Sequence, residues 1–356
     1  MDLARLGLSA DLQRQFSEHW PSGRILARVV ARTADGALCV GDQGEVRASL
    51  AGKLRHQAQS DGALWPVVGD WVALRGEPTT GLVIEMVLER QGVLARPDPE
   101  RPGLNEVLVA NVDLVLVVMG LDQDFNLRRL ERYLAMIRAN GLRAAVALTK
   151  LDLIAASEPL VLAAERLATP ALVHAVSAVS GEGVDRLRQS MSKSPTIALI
   201  GSSGVGKSTL VHLLTGAEVA TQPTRLADGR GRHTTVGHHL HPRPDGGCLI
   251  DTPGLRSVAL PAGSDLGDTF IEIGTLAGSC RFSDCRHQGE PGCAVQAAMA
   301  AGSLDSDRLS AYRKLEREAR RQDAKQDPQL RAAERQQTRK WAREIRQELK
   351  LRPPRR

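Results

Sequence analysis

Eight consecutive residues, Gly201-Ser202-Ser203-Gly204-Val205-Gly206-Lys207-Ser208, fit the spacing G-x-x-x-x-G-K-[ST] in full. The chemistry such a run supports is the cradling of a phosphate chain. Its glycines let successive backbone N–H groups curl around a β-phosphate, and the N-terminus of a following helix adds partial positive charge. Lys207 is expected to reach the β- and γ-phosphates and Ser208 to ligate Mg²⁺ through its hydroxyl, with Thr209 next in the same site. The apolar run TIALI precedes the glycines and STLVHLL follows them. That strand–loop–helix context separates a binding loop from an ordinary glycine-rich turn.

Other short elements carry complementary chemistry. Thr149-Lys150-Leu151-Asp152 closes the run RAAVAL and resembles the [NT]-K-x-D guanine signature. A carboxylate at Asp152 accepts from guanine N1–H and the N2 amine, and adenine offers neither in that geometry. A site built on such a contact discriminates by roughly 10⁴-fold or more. Ser177-Ala178 ends LVHAV and resembles the S-A element whose backbone contacts guanine O6. Asp251-Thr252-Pro253-Gly254 follows GCLI and resembles D-x-x-G, with Asp251 in the Mg²⁺ shell and the Gly254 amide sensing a γ-phosphate. Between the phosphate loop and D-x-x-G lies LADGRGRHTTVGHH, where Thr234 or Thr235 is the expected second Mg²⁺ ligand; the sequence does not choose between them. Together these elements read as a GTPase that takes Mg²⁺ with GTP. Many GTPases place a Gln after D-x-x-G to orient the attacking water. Leu255 stands there in this chain, so His233, beside the switch threonines, is the expected catalytic group.

The order of the motifs constrains the elements that hold them. T-K-L-D and S-A precede the phosphate loop and D-T-P-G, the reverse of an ordinary small GTPase, which predicts a circular permutation. From Asn111 onward, apolar runs and helix-spaced segments alternate, with Asn126 placed to cap LRRLERYLAMIRA. That alternation predicts a parallel α/β sheet with ligands at the carboxyl ends of its strands. Before it, RILARVVARTADGALCVG, EVRASLAGKLR, PVVGDWVALRG and GLVIEMVLER are short strand-like runs punctuated by turns, suited to an OB-type β-barrel. Aromatics make up 3% of the 356 residues, so Trp65 and Trp71 are expected in the core rather than in a base-stacking platform.

Composition excludes several classes. With 42% hydrophobic and 25% charged residues, the chain reads as globular, and no apolar run approaches the roughly 18 residues of a membrane span. The first residues lack the apolar core of a signal peptide, so a cytoplasmic protein without membrane partners is expected. Five cysteines do not suit a disulfide framework. Three of them, with a histidine, give C-x4-C-x-H-x5-C at Cys280, Cys285, His287 and Cys293, matching one closed structural Zn²⁺ site. Cys39 and Cys248 read as small buried hydrophobes. From Tyr312 to Arg356 there are 16 basic and 7 acidic residues, an excess of nine against +6 for the whole chain. Such an arginine-dense tail suits phosphate contacts on RNA.

PVVGDWV, ANVDLVLVV, the permuted motifs, GRGRHTT, DTPG and CRFSDCRHQGEPGCAV together resemble the RsgA/YjeQ family over roughly residues 24–320. The resemblance implies a circularly permuted GTPase that depends on the ribosomal small subunit and acts late in its maturation. Binding of the subunit's rRNA, hydrolysis of GTP to GDP and stimulation by the subunit are then expected of a monomer. The implied organisation is an N-terminal arm (1–23), an OB-fold barrel (24–100), the permuted GTPase (105–260), a helical zinc-binding domain (261–320) and a basic helical tail (321–356). One departure is Thr149, where the family usually has Asn: GTP specificity is expected to survive through Asp152, with the amide contacts of Asn lost. Two other readings differ in class. A GTP-dependent metallochaperone needs exchangeable metal ligands, whereas this cluster looks closed. An RNA-binding protein using GTP only structurally needs no switch elements, and both are present.

Overall fold

A computed structural model describes residues 2–19, 23–77, 79, 81–98, 101, 104–217, 237–254 and 259–326 of the protein. His233, Thr234, Thr235, Leu255 and the tail beyond residue 326 therefore lie outside the described residues. The chain divides into two compact units, Met1–Arg96 with Glu106–Val258 and Pro97–Asn105 with Ala259–Arg356. Among the described residues no helix is long and apolar enough to cross a membrane.

In the first unit a 3-10 turn, Leu3–Leu6, and helix α1, Ala10–His19, lead into the β-rich region. Strands β1 (Ile25–Arg32), β2 (Gly36–Gly41), β3 (Gly44–Leu50), β4 (Trp71–Glu77) and β5 (Gly81–Val87) pair in the order β1-β2-β3-β5-β4, and β4 returns to β1 to close a barrel. Ala27, Val29, Cys39, Val72, Leu74 and Ile84 form its interior and are wholly buried. The run EVRASLAGKLR is not one strand: β3 ends at Leu50 and helix α2, Gly52–Ser60, follows. Leu54 and Ala58, four residues apart, are buried on that helix, and helical spacing overrides the strand-like start of the run. Trp71 is buried, and Trp65 packs partly buried against the same core.

After a two-stranded ribbon, β6 (Val93–Pro97) with β7 (Asn105–Ala110), the chain builds the α/β layer. In chain order its elements are β8 (Leu114–Gly120), α3 (Leu127–Ala139), β9 (Arg143–Thr149), α4 (Glu158–Ala168), β10 (Leu172–Ala175), α5 (Val184–Met191), β11 (Thr196–Ile200), α6 (Lys207–Thr215), β12 (His239–Pro242) and β13 (Cys248–Asp251). The Asn126 side chain accepts from Arg129 N at 2.9 Å and caps α3. Strand order is β10-β9-β8-β11-β13-β12, parallel except for β12, which runs antiparallel to β13. Strands β8 and β11 are buried along their whole length, as sheets covered on both faces require.

Among the described residues, barrel and sheet are continuous where Ala31 on β1 stands opposite His239 on β12. A fully buried arginine reinforces this joint. Arg28 donates to the carbonyls of Leu6, Gly69 (3.2 Å) and Asn111 (3.3 Å) and to Thr196 Oγ1 (2.8 Å), and its guanidinium lies 5.3 Å from the Trp71 ring centroid. A buried charge is tolerable only when so hydrogen-bonded.

The second unit contains α7 (Ile271–Ala277), α8 (Ala294–Ala300) and α9 (Ser306–Gln326). Phe270 stacks edge-on against Tyr312 at 5.3 Å and under Arg308 at 4.3 Å. Helix α9 runs without interruption through residue 320, burying Leu309, Leu315, Ala319 and Ala324.

Candidate nucleotide site and metal cluster

The phosphate loop joins β11 to α6. At Gly201 (φ 154°) a Cβ would lie 2.2 Å from the Val118 carbonyl oxygen, so only glycine lets the loop leave β11 this close to β8. Gly206 adopts φ 94° as the N-cap of α6. Val205 is buried, while Ser203, Gly204 and Thr209 are exposed. Lys207 is 7% exposed, and its Nζ donates to the carbonyls of Gly201 (3.0 Å) and Ser202 (2.6 Å), which holds the ammonium within the curve of the loop. Burial lowers its pKa, opposed by the charges of Asp251 and Asp124.

D-T-P-G closes on this loop. Thr252 Oγ1 donates to the Leu199 carbonyl at 2.6 Å, tying it to the phosphate-loop strand. A Cβ on Gly254 would sit 2.7 Å from Ser203 N, so the glycine permits backbone to approach backbone. Asp251, at the end of β13, has its carboxyl raised above the usual range by burial, with Lys207, His239 and the Ser208 hydroxyl opposing. Its Oδ1 is buried and has no hydrogen-bond partner. An orphaned carboxylate oxygen beside a serine hydroxyl is a donor set that fits a hard cation such as Mg²⁺.

The base-side elements meet at the adjoining strand ends. Thr149, 4% exposed, donates through Oγ1 to the Val205 carbonyl at 2.6 Å, with the Met119 carbonyl at 3.3 Å. The hydroxyl at the usual Asn position thus ties the end of β9 to the phosphate loop. Lys150 turns the chain with φ 62°, a 3-10 turn Leu151–Leu153 follows, and Leu151 N donates to the Val176 carbonyl at 3.2 Å. Asp152 is exposed, and its Oδ1 accepts from Ser177 Oγ at 2.6 Å. Ser177 is fully buried, and its hydroxyl also accepts from Val179 N and Ser180 N. Ser177 therefore orients Asp152 through its side chain, where the sequence points only to backbone contacts of the Ser177-Ala178 turn. The β8–α3 loop also escapes sequence reading: Asp122 Oδ2 lies 2.7 Å from Lys150 Nζ, and the Asp124 charge reaches Lys207. Their signal is position alone, directly after the carboxyl end of a wholly buried strand.

In the second unit, Cys280, Cys285, His287 and Cys293 bring their ligand atoms within 4.8 Å of one another. Cys280 Sγ is 3.9 Å from Cys293 Sγ and 3.6 Å from His287 Nδ1, and Cys293 Sγ is 3.4 Å from His287 Nδ1. Tetrahedral Zn²⁺ with Zn–S near 2.3 Å and Zn–N near 2.0 Å requires edges of about 3.8 and 3.5 Å. The donor set fits. Gln296 N donates to Cys293 Sγ at 3.4 Å, so the first turn of α8 supplies the thiol with a hydrogen bond, and His287 (φ 59°) has its carbonyl held by Gln296 and Arg313. Cys39 and Cys248 belong to the first unit and are fully buried there, burial pushing the Cys39 thiol up to about 12.

Residues 87–261 match the model of the RsgA GTPase family. The chain is 39% identical over 321 residues to "Small ribosomal subunit biogenesis GTPase RsgA 2" of Lactiplantibacillus plantarum, covering 89% of each chain. It is also 39% identical over 352 residues to the protein named small ribosomal subunit biogenesis GTPase RsgA in Opitutus terrae, covering 96% of each. Among solved structures, YjeQ from Thermotoga maritima superposes with a TM-score of 0.60 at 27% identity, over 83% of this chain and 98% of that one.

Proposed function

The chain belongs to the RsgA GTPase family, and we propose that its nucleotide site works in maturation of the ribosomal small subunit. It is a GTP hydrolase of circularly permuted fold. The observation that carries the site assignment is convergence: the carboxyl ends of β9, β11 and β13 deliver Asp152, the phosphate loop and Asp251 around one rim. In this reading Asp152 accepts from the guanine edge, Gly201–Thr209 wraps the phosphates with Lys207 as their counter-charge, and the Gly254 amide meets the γ-phosphate. Bound Mg²⁺ would offset charge on the β- and γ-phosphates, held by Ser208, by Asp251 and by Thr234 or Thr235. The Cys280–Cys285–His287–Cys293 set would hold one structural Zn²⁺, with no coordination position open for catalysis.

His233 is assigned to the attacking water, since Leu255 has no hydrogen-bonding atom in its side chain. Free protein should turn over slowly and the small subunit should stimulate it, with His233 acting on the water and arginines of the tail contacting rRNA. The test is GTP turnover by the purified monomer with and without purified small subunits. Stimulated turnover that His233→Ala removes, with GTP affinity kept, supports the reading. Absence of stimulation overturns the dependence on the subunit, and equal stimulated turnover in His233→Ala overturns the role of this histidine.

A further inference from the structure

The lysine of T-K-L-D is not a free surface cation. It leaves β9 in the left-handed region, φ 62° and ψ 35°, and its Nζ is 2.7 Å from Asp122 Oδ2. Asp122 is itself fixed from several sides. Its Oδ1 accepts from Asp124 N at 3.1 Å, its carbonyl accepts from Phe125 N at 2.9 Å, and the preceding Leu121 N donates to the Thr149 carbonyl at 2.9 Å. A Cβ at Gly120 would lie 2.4 Å from Asp122 Oδ1, so the glycine at the end of β8 leaves room for the carboxylate to fold back over the strand end. The Lys150 ammonium in turn holds the Asp122 carboxyl below the usual carboxylate range.

We propose that Asp122 is a positioning residue for guanine-nucleotide binding: it pre-orders Lys150 so that the lysine stem lies ready beside the base held by Asp152. The inference rests on the guanine reading of Asp152 given above. Both partners are about 30% exposed, so the ion pair itself contributes little to fold stability. Its effect is on order. A lysine loses many rotamers when it is immobilised, and a side chain already held by a fixed carboxylate loses fewer on binding. Thr149 and Lys150 tie the end of β9 to the loops that follow the next two strands, β11 and β8. The Thr149 hydroxyl holds β9 to the phosphate loop, and Asp122 on the neighbouring strand end aims the lysine that follows.

The test measures GDP and GTP affinity of the full-length protein by displacement of a fluorescent guanine nucleotide. D122A should weaken both nucleotides by roughly fivefold to tenfold. D122N, which keeps a hydrogen-bond acceptor without the charge, should recover part of that loss. The deficit should fall on KM rather than kcat, as expected when binding common to ground and transition states is removed. The double variant D122A/K150A should bind no more weakly than K150A alone, because Asp122 acts through the lysine. Wild-type affinity in D122A, or an additive loss in the double variant, overturns the inference and leaves the guanine reading intact. A wild-type chain without affinity for guanine nucleotides overturns both.

Discussion

Replacing Thr149 with Val removes one hydroxyl and keeps the side chain's shape. That hydroxyl has a single proton to donate, and the 2.6 Å contact to the Val205 carbonyl takes it in preference to the 3.3 Å contact to Met119. The side chain is 4% exposed, so water cannot easily replace it. Leaving a buried carbonyl without its donor costs about 1–3 kcal/mol. A loss near the middle of that range should lower the melting temperature of the nucleotide-free protein by about 4–8 °C, given roughly 2–4 °C per kcal/mol for a unit of this size. The same tether fixes where the phosphate loop sits relative to Asp152, so GDP affinity should fall by about tenfold, the equivalent of 1.4 kcal/mol. Thr149→Ser retains the donor and should stay close to wild type. Titration with fluorescent GDP and a thermal melt, each run on both variants, decide the matter. A Thr149→Val protein that melts and binds like wild type would refute the claim that this hydroxyl ties the end of β9 to the phosphate loop in a way that matters for binding.

Asp152→Asn should move preference from guanine towards xanthine nucleotides, because the amide oxygen can still accept from N1–H while the amide N–H donates to the 2-carbonyl of xanthine, where guanine carries an amine; unchanged GTP selectivity in competition binding removes Asp152 as the reader. The purified protein should carry one zinc by elemental analysis. Chelation should make three thiols reactive towards an alkylating reagent at pH 8, while Cys39, with its thiol at about 12, and buried Cys248 wait for unfolding; five thiols reacting at once after chelation would show that the cluster holds more than its own unit together. Cys285→Ser should abolish zinc binding yet leave GDP affinity within about twofold, since its ligands and the nucleotide site belong to different compact units; a large loss of GDP affinity would show that the two sites are coupled.

The site was legible where its chemistry is contiguous. Gly201–Ser208, Thr149–Asp152 and Asp251–Gly254 are short runs whose residue types imply their roles before any packing is known, and C-x4-C-x-H-x5-C is a ligand set within fourteen residues. The alternation of apolar runs with helix-spaced segments likewise carries the parallel sheet, and Asn126 carries the start of α3. What sequence could not show is contact between strand ends. Ser177 reaches Asp152 across 25 positions, Lys150 reaches Asp122 across 28, and Thr149 reaches Val205 across 56. Each follows from strand order, in which β10 neighbours β9, β9 neighbours β8 and β8 neighbours β11. The run AGKLR misleads for a related reason: in isolation it extends a strand, whereas in the fold Leu54 packs from a helix into the barrel core.

Arg28 shows the same limit at the joint between barrel and sheet. Arginine is a residue type seldom fully buried, and nothing in RILARVVAR marks Arg28 as an exception, yet it is fully buried. The groups that make its burial tolerable stand 22, 41, 83 and 168 positions away, at Leu6, Gly69, Asn111 and Thr196. Burial lowers its pKa while Cys248, Asp113 and Asp70 oppose, so the surroundings favour a charge that desolvation disfavours. Thr196 begins β11 and Cys248 begins β13, and the two are paired across the sheet. Those strands, five and four residues long, end at the phosphate loop and at Asp251. One guanidinium from the barrel thus sits at the base of both strands whose far ends carry the phosphate chemistry. The barrel is therefore part of the scaffold that sets the spacing of the nucleotide site, and displacing β1 would disturb the hydrogen bonds at the roots of the same strands that hold Lys207 and Asp251.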